Sequence, residues 1–506
     1  MDSKVVQKKK SCAGRTCLVW GMGSMAIVGT AILVVFWCTN LFRDAILSAL
    51  ELKNGTTTYG LWERPLVRAA YRIRIFNYTN VDEFESGLDP KLKVQELGPY
   101  IYRETLTRVN VQSHENGTIT YQEKRAFQWE GGRPDDEMIR VPNVPLFTAM
   151  AFSRDLNFMA QVTLTAILTT LQAKTFVTVP AGGFLWGYDD KIFQMAKPVM
   201  ALRQPITFDK FGMLASKVGV SKDRINIRTG SGDLGSLGLV QRLNGDERLH
   251  VWDDEQCDTI FGTDGTMFPP HLIRDPNATL HVFCRDMCRT IPLHYEGRTM
   301  VQGIPTLRYK PPTDLFNASR SKDFCYCSKV SEGAIFSDRS CPKAGIFNVS
   351  SCHFGTPVLT SFPHFYLGDK SLLEQIEGLN PQQELHETYV DLHPLLAVPI
   401  GGWSRLQLNL EARKAVGVPF MGKLKDGEVL PLFWVEVGID NIPDSVISIL
   451  HHAYFTASAV EIGFQWGSLF LVLVSTCLLL FTMKKTRTEH RRKLKRNISG
   501  ENRLLE

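Results

Sequence analysis

Two long apolar segments, one near each end of the chain, constrain this sequence most. The first covers residues 16–42 and the second residues 462–483, and neither contains a charged side chain. Each exceeds the roughly 20 residues that an α-helix needs to cross about 30 Å of hydrocarbon. The sequence therefore predicts two transmembrane helices, with residues 43–461 folded on one side of a bilayer.

The first segment has a signal peptide as its alternative interpretation. Its apolar run is longer than the usual core of about 7–15 residues, and residues 37–40 make a poor cleavage site, so we predict an uncleaved anchor. The tails, residues 1–15 and 484–506, are rich in lysine and arginine, which predicts that both are cytoplasmic. The two tails carry a net charge of +4 and +6, whereas the whole chain carries +5, so the middle is net −5. No nucleic-acid partner is therefore expected. Attraction of the tails to anionic lipid is the alternative role for their charge.

Acceptor sites for N-glycans support an extracellular or lumenal position for residues 43–461. Six Asn-x-Ser/Thr sequences fall in this region, and a seventh, at Asn497, falls in the second tail, where we expect no glycan. The predicted glycosylation sites are Asn54, Asn77, Asn116, Asn277, Asn317 and Asn348.

Cysteines cluster in one part of the loop. Seven of the 11 cysteines lie between residues 257 and 352, which in an oxidising compartment predicts disulfides with one thiol left over. Zinc is the competing interpretation, but the spacings lack the zinc-ribbon pattern and no histidine pair completes a site, so neither a metal nor a cofactor is expected. The seven are Cys257, Cys284, Cys288, Cys325, Cys327, Cys341 and Cys352.

Two features of the tails suggest modification or sorting. Cys12 and Cys17 border the first apolar segment and are candidates for palmitoylation, with a free thiol as the alternative. The segment Glu501–Leu505 is similar to an acidic dileucine sorting signal, with an unstructured terminus as the alternative.

The loop has strand patterns in several places and helical patterns in three. Apolar and polar residues alternate over 71–75 and 406–410, β-formers are dense over 118–129, and glycine and proline interrupt the chain often. This pattern predicts a large antiparallel, barrel-like core. We expect helices over 43–52 and 444–460, and two short helices within 144–173.

The catalytic motifs in this sequence are weak or missing, which favours binding or transport over catalysis. Residues 230–235 match GxGxxG, but no βαβ pattern surrounds them, so a glycine-rich turn is the better interpretation. Neither a GxSxG elbow nor an HExxH pair is present. We therefore predict no catalytic residues and no enzyme activity.

An ordered set of short motifs extends over nearly the whole chain and resembles the class B scavenger receptors. The set is Glu96–Tyr100, Trp186–Tyr188, Phe208–Gly212, Gly262–Gly265, Phe268–Pro270, Gly303–Thr306, Phe324–Cys327, Phe362–Phe365 and Gly378–Pro381.

The resemblance implies an α+β fold: an irregular antiparallel β-barrel with an apolar tunnel, topped by a membrane-distal helical cap over about residues 144–174. It also implies the pairs Cys257–Cys325, Cys288–Cys352 and Cys327–Cys341, which leaves Cys284 as the odd thiol. In the cap, the candidate ligand contacts are Phe152, Arg154, Phe158, Met159 and Lys174.

The function that the resemblance implies is a plasma-membrane receptor for lipids or lipoprotein particles. Fatty acids, sterols or carotenoids would pass through the tunnel to the bilayer. An endosomal or lysosomal trafficking receptor that binds a protein partner at the cap is the alternative. A membrane-tethered hydrolase is a third hypothesis, and it requires a nucleophile–base pair in the loop.

Overall fold

A computed structural model describes residues 3–501 apart from 204–205, 207, 253, 318–322, 330–338, 354 and 416. The chain divides into two compact units. One unit contains Met1–Ala49 together with Ile449–Glu506, and the other is Leu50–Ser448.

The described residues form helices of very different lengths, and the longest are at the two ends of the chain. They are α1 (Ser3–Cys38), α2 (Leu41–Ser48), α3 (Thr57–Glu63), α4 (Val81–Ser86), α5 (Val144–Ser153), α6 (Phe158–Thr170), α7 (Ala181–Trp186), α8 (Lys191–Arg203), α9 (Glu255–Asp258), α10 (Lys370–Leu373), α11 (Gln383–His386), α12 (Asp444–His451) and α13 (Ala457–Glu501).

The strands lie between these end helices. They are β1 (Ala70–Tyr78), β2 (Leu92–His114), β3 (Thr118–Gly132), β4 (Met138–Pro142), β5 (Phe176–Pro180), β6 (Gly219–Val220), β7 (Ile225–Arg228), β8 (Val240–Leu243), β9 (Leu280–Cys284), β10 (Arg289–Val301), β11 (Ile304–Lys310), β12 (Ser328–Lys329), β13 (Arg339–Ser340), β14 (Phe347–Asn348), β15 (Val358–Ser361), β16 (Ile376–Glu377), β17 (Tyr389–Leu392), β18 (Pro399–Glu411) and β19 (Val429–Gly438).

Two helical stretches are long and apolar enough to cross a membrane, Leu18–Cys38 and Asp444–Arg492. Within their own unit, α1 and α13 pack together, and a side chain at Gly29 would lie only 3.0 Å from Val472. The Gln465 amide donates to the Phe36 carbonyl at 2.9 Å, and the Trp37 indole donates to the Gln465 carbonyl at 3.1 Å. Polar side chains in a bilayer form hydrogen bonds to neighbouring helices, and here α1 and α13 each donate one such bond to the other.

The larger unit is organised around one sheet that nearly closes on itself. Its main path runs β8-β7-β3-β2-β1-β19-β18-β17-β11-β10-β9. The backbone N–H of Val240 in β8 donates to the carbonyl of Gly262 at 2.8 Å, and Thr263 forms bridges to both Leu239 and Val282. The segment at 262–263 therefore links the two ends of the sheet. The expected irregular antiparallel β-barrel is confirmed.

The strand patterns that predicted this barrel correspond to real alternation. In β1, Ile73 and Ile75 are buried, whereas Arg72 and Arg74 between and beside them are partly exposed. β1 pairs antiparallel with β2 on one side and with β19 on the other. Successive side chains of a strand point to opposite faces, so one face of β1 supplies the core.

Residues 144–173 form two short helices, as predicted. The Asn143 side chain accepts from the backbone N–H of Leu146 at the start of α5, and Asn157 accepts from Ala160 at the start of α6. Asparagine is favoured at this position because it satisfies a donor that the first helical turn leaves unpaired. The 444–460 pattern is also helical: α12, a π-helical turn over His452–Thr456, and the start of α13.

The glycine-rich motif at residues 230–235 is a turn rather than a nucleotide loop. It follows β7 and contains Gly230 at φ +79° and Gly232 at φ +74°, a left-handed conformation that glycine adopts readily. The turn interpretation is confirmed.

Candidate ligand-binding surface

Helix α6 leaves three of its large apolar side chains exposed to solvent. Phe158 is 75% exposed, Met159 71% and Val162 48%, and Leu168 is the one residue of the helix that is buried. We call the three exposed residues the cap patch. Contiguous exposed apolar surface of this kind usually marks an interaction site.

Phe152, the third predicted apolar contact, is less available than the cap patch. It lies near the end of α5 and is 38% exposed. A Cβ atom placed on Gly355 would meet its ring at 2.8 Å, so the ring lies directly against that glycine. Phe152 therefore contributes to local packing as well as to the surface.

The two predicted cations of the cap differ in their surroundings. The Arg154 guanidinium lies 3.5 Å from the Asp426 carboxylate, and both side chains are about half exposed. Lys174 is exposed between α6 and β5. Hydrogen bonding from Arg140 lowers the pKa of Asp82, and the charge of Lys174 adds a smaller lowering of that pKa.

A distant segment of the chain, residues 412–428, packs beside the cap and adds cations to it. The Thr175 hydroxyl donates to the Phe420 carbonyl at 3.2 Å, which joins this segment to the end of the cap. Lys414, Lys423 and Lys425 in it are exposed. Sequence reasoning missed these lysines because they lie far along the chain from residues 144–174. The only signal in the sequence was the presence of several basic residues within 412–428.

The same segment lines a surface cavity next to the cap. The cavity has a volume of about 380 Å³, and its neighbour on α6 is Gln161, whose side-chain oxygen would lie 4.0 Å from a Cβ atom at Gly417. Its lining is mainly small and apolar, with one lysine. The lining residues are Lys414, Ala415, Gly417, Val418, Pro419, Met421 and Gly422.

Together, the cap patch and this cavity offer apolar contact with nearby positive charge. Such a surface can hold a hydrocarbon chain and attract an anionic group without any covalent step. Among the described residues, no group of three His, Cys, Asp or Glu side chains is placed to hold a metal ion.

The structure contains three disulfides in the larger unit, and they join the pairs that the resemblance implies. Cys257 bonds to Cys325, Cys288 to Cys352 and Cys327 to Cys341. Their Cα–Cα distances are 5.9, 6.1 and 4.6 Å, within or close to the range usual for disulfides.

Cys284 is a free thiol in the structure. Burial raises its pKa to about 11, so the unreactive thiol form prevails at neutral pH. Cys12 and Cys17 fall within helix α1, and the structure does not describe their side chains. Palmitoylation at these two positions stays a prediction.

The predicted glycan acceptors are all at least partly accessible. Asn54, Asn116 and Asn277 are exposed, whereas Asn77, Asn317 and Asn348 are half-buried. The sequon hydroxyls of Thr118 and Ser350 donate to Asn116 at 2.8 Å and to Asn348 at 2.6 Å, and the Asn77 side chain accepts from the backbone of Arg140. Glycosylation at the six sites stays a prediction. The Asn497 side chain and residues 502–505 of the sorting segment lie outside the described residues.

Comparison with known proteins identifies the group to which this architecture belongs. The sequence model of the CD36 family matches residues 21–483. This chain belongs to the CD36 family. The resemblance to the class B scavenger receptors is thereby confirmed, and the barrel and terminal apolar helices agree with CD36 family topology.

Individual relatives within the CD36 family have two kinds of name. Lysosome membrane protein 2 of Homo sapiens is 32% identical over 411 residues, which cover 79% of this chain and 82% of that protein. Scavenger receptor class B member 1 of Rattus norvegicus is 29% identical over 425 residues, covering 82% of this chain and 80% of the relative. The chain is therefore a membrane protein of a receptor family, with relatives named for the lysosome and for scavenging.

Proposed function

We propose that this protein is a lipid receptor that collects apolar ligands at its cap and delivers them through the barrel to the membrane. The observation that carries the proposal is the cap patch, which exposes Phe158, Met159 and Val162 on a helix that buries little of itself. Fatty acids, sterols or carotenoids, free or carried in lipoprotein particles, match this surface in polarity.

Partition drives such a function without catalysis. Each CH₂ group removed from water is worth about 0.8 kcal/mol, so a sixteen-carbon chain carries a penalty on the order of 12 kcal/mol in water. An apolar path from the cap to the bilayer removes that penalty along the way. We propose accordingly that the protein is not an enzyme and needs no cofactor.

The topology that suits this role places both tails in the cytoplasm and residues 43–461 outside the cell. The basic tails and the six glycan acceptor sites in the loop support this orientation. The likeness to lysosome membrane protein 2 supports the alternative, a receptor that carries a protein partner within endosomes or lysosomes.

The test measures lipid uptake by cells that carry Phe158→Asp/Met159→Asp, compared at equal surface amounts with the natural sequence. The matched control is Leu88→Asp, since Leu88 is 81% exposed and lies outside the cap. Losing two apolar side chains from the contact should weaken ligand binding by about tenfold or more. The control should leave uptake unchanged.

Normal uptake by the double variant would contradict the lipid-receptor proposal. If that variant instead loses a co-purifying protein while its lipid content is unchanged, the trafficking receptor replaces it. Mass spectrometry of lipids that co-purify with the solubilised protein identifies the ligand class.

A further inference from the structure

A group of buried polar side chains lies inside the barrel wall, away from the cap patch. His364 and His386 stack with ring centroids 4.6 Å apart and planes 12° from parallel. The side chain of His364 is 6% exposed, and His386 as a residue is only 2% exposed. Both rings line a cavity of about 250 Å³ together with Arg74, Glu96, Asn380, Gln382, Leu385, Trp434 and Glu436.

Each of the two imidazoles accepts a hydrogen bond from the loop of residues 378–382, and each uses its own Nδ1 atom. The Nδ1 atom of His364 accepts the backbone N–H of Asn380 at 3.1 Å, and the Nδ1 atom of His386 accepts that of Gln382 at 2.9 Å. Because a backbone N–H can only donate, each Nδ1 must be unprotonated for the bond to exist. Neutral His364 thus ties the loop to the barrel wall, and neutral His386, four residues after Gln382, ties the end of the loop to α11.

The opposite edge of His364 is anchored to the barrel. Its Nε2 lies 2.5 Å from a carboxylate oxygen of Glu96, which also accepts the indole N–H of Trp434 at 3.0 Å. With Nδ1 as an acceptor, the neutral ring carries its proton on Nε2 and donates it to Glu96. Any further proton must go to Nδ1, where it would face the N–H of Asn380.

Charged groups of both signs surround the two neutral rings, on strands β1, β2, β18 and β19. Arg74 of β1 and Arg405 of β18 are cations, and Glu96 of β2 and Glu436 of β19 are the anions. Both anions are already engaged. Glu436 is 2.6 Å from Arg405, and Glu96 is 3.5 Å from Arg74. The carboxylate of Glu96 contacts His364 and not His386, so a protonated His386 gains little compensation in this site.

We propose that the stacked pair His364–His386 is an acid-released latch, which holds loop 378–382 against the barrel at neutral pH and frees it when the compartment acidifies. The trigger is a proton on Nδ1, which turns an acceptor into a donor opposite an N–H. The consequence is a wider cavity where Asn380 and Gln382 of the loop line it.

The direction of the pH effect follows from the buried state of His386. Burial, and then the neighbouring His364, lowers the pKa of His386 to about 4, whereas a released imidazole has a pKa of about 6.5. The released form therefore takes up a proton first as pH falls. The latch is fully stable above about pH 6.5 and weakens by roughly tenfold per pH unit from there down to about pH 4.

Hydrogen exchange of the full-length protein in lipid nanodiscs tests the latch, with no lipid ligand needed. Protection factors, which correct for intrinsic exchange, are compared at pH 7.4 and pH 5.0 for peptides covering residues 378–387. We expect protection to fall by roughly 25-fold at the acid pH. A peptide from β3 (Thr118–Gly132), which contributes no residue to the lining of the cavity, serves as the internal reference and should be unchanged.

The variant His386→Asn places a non-titrating acceptor where Nδ1 stood, so it should keep protection at pH 7.4 and abolish most of the acid-induced loss. The matched control is His114→Asn, at an exposed histidine, and should behave as the natural sequence. Equal protection at the two pH values in the natural sequence would overturn the latch, and that measurement needs no variant. An undiminished acid response in His386→Asn would also overturn it.

Discussion

Helices α5 and α6 are neighbours in the chain with similar apolar composition and opposite environments. Seven of the ten residues of α5 are buried, whereas one of the thirteen residues of α6 is buried. Helix α5 contacts β18 and α8, and its apolar residues join the main core. Helix α6 exposes the same residue types to solvent.

The difference shows that apolar composition alone does not identify core. In α5, Val144, Leu146, Phe147 and Met150 are almost completely buried and help to stabilise the fold. In α6, the exposed side chains of Phe158 and Met159 contribute little to the stability of the fold. A requirement other than folding therefore explains them better. The predictions below test this contrast.

The largest expected effect is in α5. Phe147 is fully buried, so Phe147→Ala should destabilise the larger unit by about 3–5 kcal/mol through lost burial and the cavity left behind. Phe158→Ala should change stability by no more than about 0.5 kcal/mol. Chemical denaturation of the two purified variants measures both. Equal destabilisation would remove the distinction between the helices.

A smaller effect is expected from the cations around the cap patch. Lys174→Glu/Lys414→Glu should slow association with anionic lipid particles by severalfold at low salt, because surface charge steers encounters. The effect should shrink as salt is raised, since about 0.15 M salt screens charges beyond roughly 8 Å. Arg248→Glu, at an exposed arginine outside the cap, is the control. Salt-independent loss would indicate a direct packing role for the lysines.

Local sequence patterns predicted the strands of the barrel. They did not predict its closure, which depends on contacts between residues far apart in the chain. The alternation around Ile73 and Ile75 was sufficient to predict β1, because period-two patterning depends only on neighbouring residues. Closure of the barrel through Thr263 was not predictable in this way, since it joins strands separated by many residues. The resemblance to a family supplied the barrel and cap as a whole.

The same limit applies to the sites. The position of the cap and its apolar residues could be predicted, but their exposure could not, because burial depends on which neighbours arrive from elsewhere. Lys414 approaches through segment 412–428, and the histidine latch depends on the Asn380 N–H lying beside His364. No sequence spacing encodes that a ring nitrogen faces an N–H donor.

The smallest expected effect concerns the ion pair at the end of α5, where the buried helix gives way to the exposed one. Arg154 and Asp426 are about half exposed and 3.5 Å apart, so solvent screens most of their attraction. A double-mutant cycle with Arg154→Ala and Asp426→Ala should give a coupling energy of about 0–1 kcal/mol. Arg154→Ala alone should leave lipid uptake nearly unchanged, because the proposed contact is made by Phe158 and Met159. A coupling above about 2 kcal/mol would mean that the pair fastens the cap to segment 412–428. A loss of uptake in Arg154→Ala matching that of Phe158→Asp/Met159→Asp would instead mean that charge recognition, rather than the apolar patch, selects the ligand.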